Sequence, residues 1–118
     1  MTTVKDVLIK ARAVIAEPEH WCKGWYSKDQ TGDEVTNIAD PRAYMFCSLG
    51  AIKKVLSEEV VYGGGYLNLQ DEVVTALATC ENPDAKDLPE ETVINFNDTK
   101  EHADVIAAFD CAIKSLEG

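Results

Sequence analysis

Apolar residues recur along this chain with three different rhythms, and each predicts an element. From Thr3 to Ala16, Val4, Val7, Leu8, Ala11, Val14 and Ile15 follow the i, i+3, i+4, i+7 spacing of an amphipathic helix. Thr3 with Asp6 forms a capping-box start, and Pro18 marks the stop. Residues 41–56 predict a central helix, with Asp40 as N-cap and Pro41 in the first turn. No charge falls between Ala43 and Ile52, so this helix is apolar nearly all round and belongs inside the core. Gly50 within it points to close approach of another backbone. Residues 67–80 predict a third helix, with the stripe Leu69, Val73, Ala76, Leu77 and Cys80 and with Asn68 as its cap. A fourth starts at Asp98, with Glu101 reaching back, and runs to Leu116 behind Val105, Ile106, Phe109, Ala112 and Ile113.

Between the helices the pattern shortens. Residues 19–22 read as a helical turn. Residues 25–27 and 34–36 read as two strands of a small hairpin, joined by a loop in which Gly32 supplies positive φ. Residues 81–91 read as an acidic, proline-punctuated loop. Residues 92–96, β-branched and alternating, read as one short extended segment. The fold class expected is mainly α: a four-helix single domain over residues 1–118, with a small β-hairpin and one extended segment.

Charge changes this picture. The net charge is −10 and it is unevenly placed. Residues 1–54 hold eight Lys/Arg against seven Asp/Glu, and residues 55–118 hold three against fourteen. Direct nucleic-acid binding is not expected, since affinity for phosphates rests on lysine and arginine. An acidic half suits a basic protein partner, or a groove meant for nucleic acid. Glu58, Glu59, Asp84, Asp87, Glu90 and Glu91 are the candidate contacts. Tyr62 and Tyr66, on either side of the triglycine 63–65, are candidates for a contact loop. With no apolar stretch of membrane-spanning length and no signal-peptide pattern, a cytoplasmic protein with no membrane contact is expected.

Candidate chemistry is sparse. Cys22, Cys47, Cys80 and Cys111 are widely spaced and form no CxxC pair, so reduced thiols are expected. No metal site and no cofactor are expected. Cys47 as nucleophile, His102 as base and Asn97 or Asp98 as orienter would make a hydrolase or transferase triad. Against it, Cys47 falls about two turns inside the apolar helix, where burial raises a thiol's pKa. The blander reading makes Cys47 core filler and His102 a half-buried histidine bonded to backbone.

Three pieces together carry a resemblance: Trp21 with Gly24, Trp25, Tyr26, Asp29 and Gly32; Asp40 with residues 47–52; and Phe96, Asn97, Asp98 and His102 with Val105 and residues 109–113. The chain resembles a family of small uncharacterised proteins from bacteria and bacteriophages. The resemblance implies a microbial or phage origin, hence a host cytoplasm if phage-encoded, and no reaction. It also implies a family preference for Cys at 47 and for Asn, Asp and His at 97, 98 and 102. The function expected is a non-enzymatic binding or regulatory protein that presents its acidic C-terminal half to a basic partner. The alternatives are the Cys47–His102 enzyme and a structural subunit of a homo-oligomer built on Tyr62 and Tyr66.

Overall fold

In a computed structural model, which describes residues 3–58 and 65–117 with the side chains of 65–68 apart, the chain is mainly helical. In order come α1 (Val4–Val14), a 3-10 turn (Pro18–His20), β1 (Ser27–Lys28), β2 (Met45–Phe46), α2 (Ser48–Glu58), α3 (Gly65–Glu81), α4 (Pro89–Thr99) and α5 (His102–Ser115). Among the described residues the α-helices number five, where four were expected. α1 packs on α2 and α5, while α3 lies against α4 and α5. Leu8, Ile15, Leu49, Ile52, Leu56, Leu77, Val93 and Phe109 are fully buried where these faces meet. No helix among the described residues is long and apolar enough to cross a membrane.

The capping box at Thr3 and the turn at Gly32 form as the sequence predicts. The Thr3 hydroxyl accepts from the Asp6 N–H, and the Asp6 carboxylate accepts from the Thr3 N–H, closing the capping box of α1. Gly32 takes φ +94° in a turn closed by the Asp29 N–H on the Asp33 carbonyl, at 2.8 Å.

Several expectations are corrected. Residues 41–47 are not helical. Met45 and Phe46 pair antiparallel with Lys28 and Ser27, so an apolar run that suited a buried helix serves as a buried strand. Asp40 does not cap a helix. Its carboxylate accepts the Arg42 N–H at 2.8 Å and pairs with the Arg42 guanidinium. Secondly, the partner of β1 is β2 rather than residues 34–36. Those residues form no strand; they meet β1 through a bridge between Lys28 and Glu34, the bond from the Val35 N–H to the Ser27 carbonyl, and the Ser27 hydroxyl donating to the Val35 carbonyl. Thirdly, residues 92–96 are not extended but lie within α4. Pro89 in the first turn, followed by Glu90 and Glu91, starts that helix, and tertiary burial of Thr92 and Val93 outweighs their β-branched preference. Asp98 therefore belongs to α4, and α5 is capped by Glu101 with Asp104 instead. Fourthly, not every thiol is free. The packing of α3 on α5 brings Cys80 and Cys111 to a Cα–Cα distance of 6.1 Å, and they form a disulfide; Cys22 and Cys47 remain thiols. Asn68 lies inside α3 rather than at its cap.

Gly50 sits where α2 crosses the segment before β1. A Cβ on it would fall on the carbonyl oxygen of Tyr26 and within 2.9 Å of the carbonyl carbon. Alanine would gain about 1 kcal/mol of helix propensity. That gain is smaller than the cost of pushing two backbones apart in a close-packed interior. Gly50→Ala is expected to lower stability by roughly 2 kcal/mol net in urea unfolding.

Glu81 closes α3 with both carboxylate oxygens buried and without a hydrogen-bond partner among the described residues. Burial pushes its carboxyl up from 4.5 to about 9. A carboxyl raised on folding adds stability that is complete below its unfolded value and is lost as pH rises through the folded one. Stability should therefore fall between about pH 5 and about pH 9. Glu81→Met should flatten that fall and raise stability at pH 8 by roughly 1–3 kcal/mol, measured as denaturant midpoints across pH.

Candidate functional site

The side chain that gathers the site is Asn97, on the inner face of α4 and 1% exposed. Its Oδ1 accepts from the Trp21 indole N–H at 2.6 Å and from the Ser48 N–H and hydroxyl, each at 3.0 Å. Its Nδ2 donates to the Cys22 carbonyl at 3.0 Å and to Asp98 Oδ1 at 3.3 Å. One amide thus ties α4 to the aromatic segment and to the first residue of α2. Asp98 Oδ1 also accepts the Gly24 N–H at 2.9 Å, and Gly24 turns there with φ +81°.

The loop held in this way arches over a pocket of about 270 Å³, lined by Gly24, Trp25, Tyr26, Cys47, Ile94, Asn97 and Asp98. The lining is mostly apolar. Trp25 and Tyr26 are each 39% exposed at its mouth. The Trp25 indole N–H donates to the Val35 carbonyl, which holds the ring in place.

Cys47 stands just before α2 rather than two turns inside it. Its carbonyl accepts the first helical bond, from the Ala51 N–H, and its sulfur accepts the Gly50 N–H at 3.2 Å. Two effects then compete at the thiol. Burial raises its pKa, and the Asp98 charge adds to that; the Gly50 and Leu49 N–H groups of the helix start oppose it. Burial is the larger, so the thiol stays protonated at neutral pH despite the helix N-terminus. Cys22 is pushed further, up to about 12, first by burial and then by Cys47. Its thiol donates to the Trp25 carbonyl.

Of the four residues proposed for a triad, Cys47, Asn97 and Asp98 come together in this pocket. His102 does not line it. One ring nitrogen, Nε2, lies 2.7 Å from the Ile15 carbonyl, and the ring packs against Trp21. Asn97 orients no histidine, because its polar atoms are engaged by Trp21, Ser48, Cys22 and Asp98. Among the described residues no three His, Cys, Asp or Glu side chains gather as metal ligands would.

The acidic candidates divide. Glu58 is paired with Lys54 on α2. Asp84, Asp87, Glu90 and Glu91 are exposed, and among the described residues no ion pair involves them. Asp71, Val74, Thr75, Leu88, Pro89 and Glu90 surround a second depression, with Leu88 67% exposed. Glu90, Ile94 and Asp98 follow at four-residue intervals on one face of α4. The charge on Glu90 reaches Tyr26, where, after burial, it raises the phenol's pKa. The acidic start of α4 and the aromatic pocket are therefore neighbours. Glu59, Tyr62 and the side chain of Tyr66 lie outside the described residues. The lining residues Gly24, Trp25, Tyr26 and Ile94 were missed as a site. The only sequence signal for them was the density of aromatics beside a glycine.

Fold and site together define a small helical protein with an aromatic-walled, carboxylate-edged pocket. The chain belongs to a family of unknown function, DUF6197, whose model matches residues 1–115. No curated protein and no solved structure matches it.

Asn97→Ala would strand the Trp21 indole N–H, the Ser48 N–H and the Cys22 carbonyl in the interior. A stability loss of about 3 kcal/mol is expected in urea unfolding. Asn97→Asp keeps the acceptor but sets a second oxygen against the Cys22 carbonyl and Asp98, so it should also destabilise.

Proposed function

We propose that this protein is a non-enzymatic binding or regulatory module that receives a basic protein partner on the exposed face of α4. The observation that carries the reading is a set of exposed carboxylates, Asp87, Glu90, Glu91 and Asp98, that have no cation partner among the described residues and flank an exposed aromatic pair. Unpaired carboxylates gathered around α4 make a field that attracts a basic surface, and the apolar pocket and Leu88 supply area to bury once it arrives. A partner docking there would gain Coulomb attraction without first having to break resident ion pairs. We set this encounter in the cytoplasm, the host's if the chain is phage-encoded, in keeping with the resemblance to bacterial and phage proteins. Cys80 and Cys111 would be kept as thiols there, so binding is to be measured with and without reductant.

The test uses a fluorescent oligolysine peptide and anisotropy. Affinity should fall at least ~10-fold between about 50 and about 300 mM salt, because exposed charges are screened over shorter distances as salt rises. Replacing Asp87→Asn, Glu90→Gln and Glu91→Gln together should weaken binding about 10-fold. The equal charge change Glu17→Gln, Asp33→Asn and Glu34→Gln, on exposed residues elsewhere, should change it less than about 2-fold. Equal losses from both sets, or indifference to salt, would refute the reading.

A further inference from the structure

The pocket is more specific than the acidic face around it. It has a carboxylate at one edge, an indole at the mouth and an apolar wall formed by Ile94 and Cys47. Asp98 spends Oδ1 on the Gly24 N–H and the Asn97 amide, and among the described residues no cation pairs with it. The Tyr26 ring already carries a cation, the Lys53 ammonium 5.6 Å from its centre, and Trp21 carries Lys23. Among the described residues no cation lies over Trp25. The indole at the mouth and the carboxylate at the edge are thus both open to an incoming positive group.

From this arrangement we propose that the pocket receives an arginine side chain of the basic partner, with its guanidinium on Asp98 and Trp25 and its aliphatic stem against Ile94 and Cys47. A planar guanidinium stacks on an indole and still directs N–H donors in its own plane at a carboxylate. It is also less strongly hydrated than an ammonium, so entering a mostly apolar pocket costs it less. Lysine would bring the same charge with a compact, heavily hydrated head and no stacking plane. Citrulline has arginine's shape without its charge.

This inference rests on the binding reading above and can fail without it. The test titrates the whole protein with the capped tripeptide acetyl-Gly-Arg-Gly-amide and its lysine and citrulline counterparts. The readouts are the Gly24 amide and Trp25 indole signals in nitrogen–proton correlation spectra. The arginine peptide should move both signals to saturation. The lysine peptide should bind at least ~5-fold more weakly, and the citrulline peptide at least ~10-fold. Asp98→Asn keeps an oxygen for the Gly24 N–H and should reduce arginine affinity ~10-fold. The peptide comparison requires no variant, so it stands even if Asp98→Asn perturbs the loop. Equal binding by citrulline or by lysine, an unchanged affinity in a folded Asp98→Asn, or no movement of either signal would overturn the proposal. If oligolysine still bound through Glu90 and Glu91 in that case, the acidic-face reading would survive and the arginine pocket would not.

Discussion

The Asn97 amide is buried among three segments that share no regular secondary structure with one another. Its oxygen serves the Trp21 indole and both the backbone and hydroxyl of Ser48, and its nitrogen serves the Cys22 carbonyl. Each partner is itself a polar group withdrawn from water, so each would be costly to leave unpaired. α4, the start of α2 and the aromatic segment consequently hold one relative arrangement. Neighbouring bonds extend it: the Cys22 N–H reaches the Phe46 carbonyl, and the Cys47 N–H reaches the Tyr26 carbonyl.

That arrangement accounts for the pocket and for the state of its thiol. With the aromatic segment bound to α4 through Gly24 and to Cys47 just before α2, Trp25 and Tyr26 are lifted over the space between the two helices. Gly50 lets the loop backbone pass close enough to α2. The same closeness removes water from Cys47. A helix N-terminus ordinarily favours a thiolate, but here desolvation is larger and Asp98 adds to it. With His102 turned to the Ile15 carbonyl, the pocket's most prominent open features are a carboxylate and an aromatic surface rather than a paired nucleophile. Such a lining suits recognition of a cation more than covalent chemistry.

The separate acidic face follows from how α3 and α4 meet. Their contact brings Asp71 and Glu90 to the same depression and leaves Leu88 exposed beside them. Cations of the first half take carboxylates of the second, Arg12 pairing with Asp110 and Lys54 with Glu58. Charge is thus compensated on the α1 and α2 sides and concentrated around the start of α4, next to the pocket.

Much was determined by the sequence alone, wherever the deciding groups lie within a few residues of each other. The capping box of Thr3 and Asp6, the turn at Gly32, and the buried stripes of α1, α3 and α5 are of this kind, because caps and periodicity act over one or two helical turns. Gly50 was legible as a close approach, though not what it approached. The net acidity of the second half and the grouping of Asn97 with Asp98 were also plain. Only the tertiary structure decided that Met45 and Phe46 form a strand, since their partners Lys28 and Ser27 lie 17 and 19 positions earlier (45 − 28 and 46 − 27) and an apolar run suits either element. It moved the cap of α5 from Asp98 to Glu101 by giving Asp98 to α4 and to Gly24. It also paired Cys80 with Cys111 across 31 residues and Trp21 with Asn97 across 76. Contacts at such separations depend on how whole helices pack, and no local pattern in the chain encodes them.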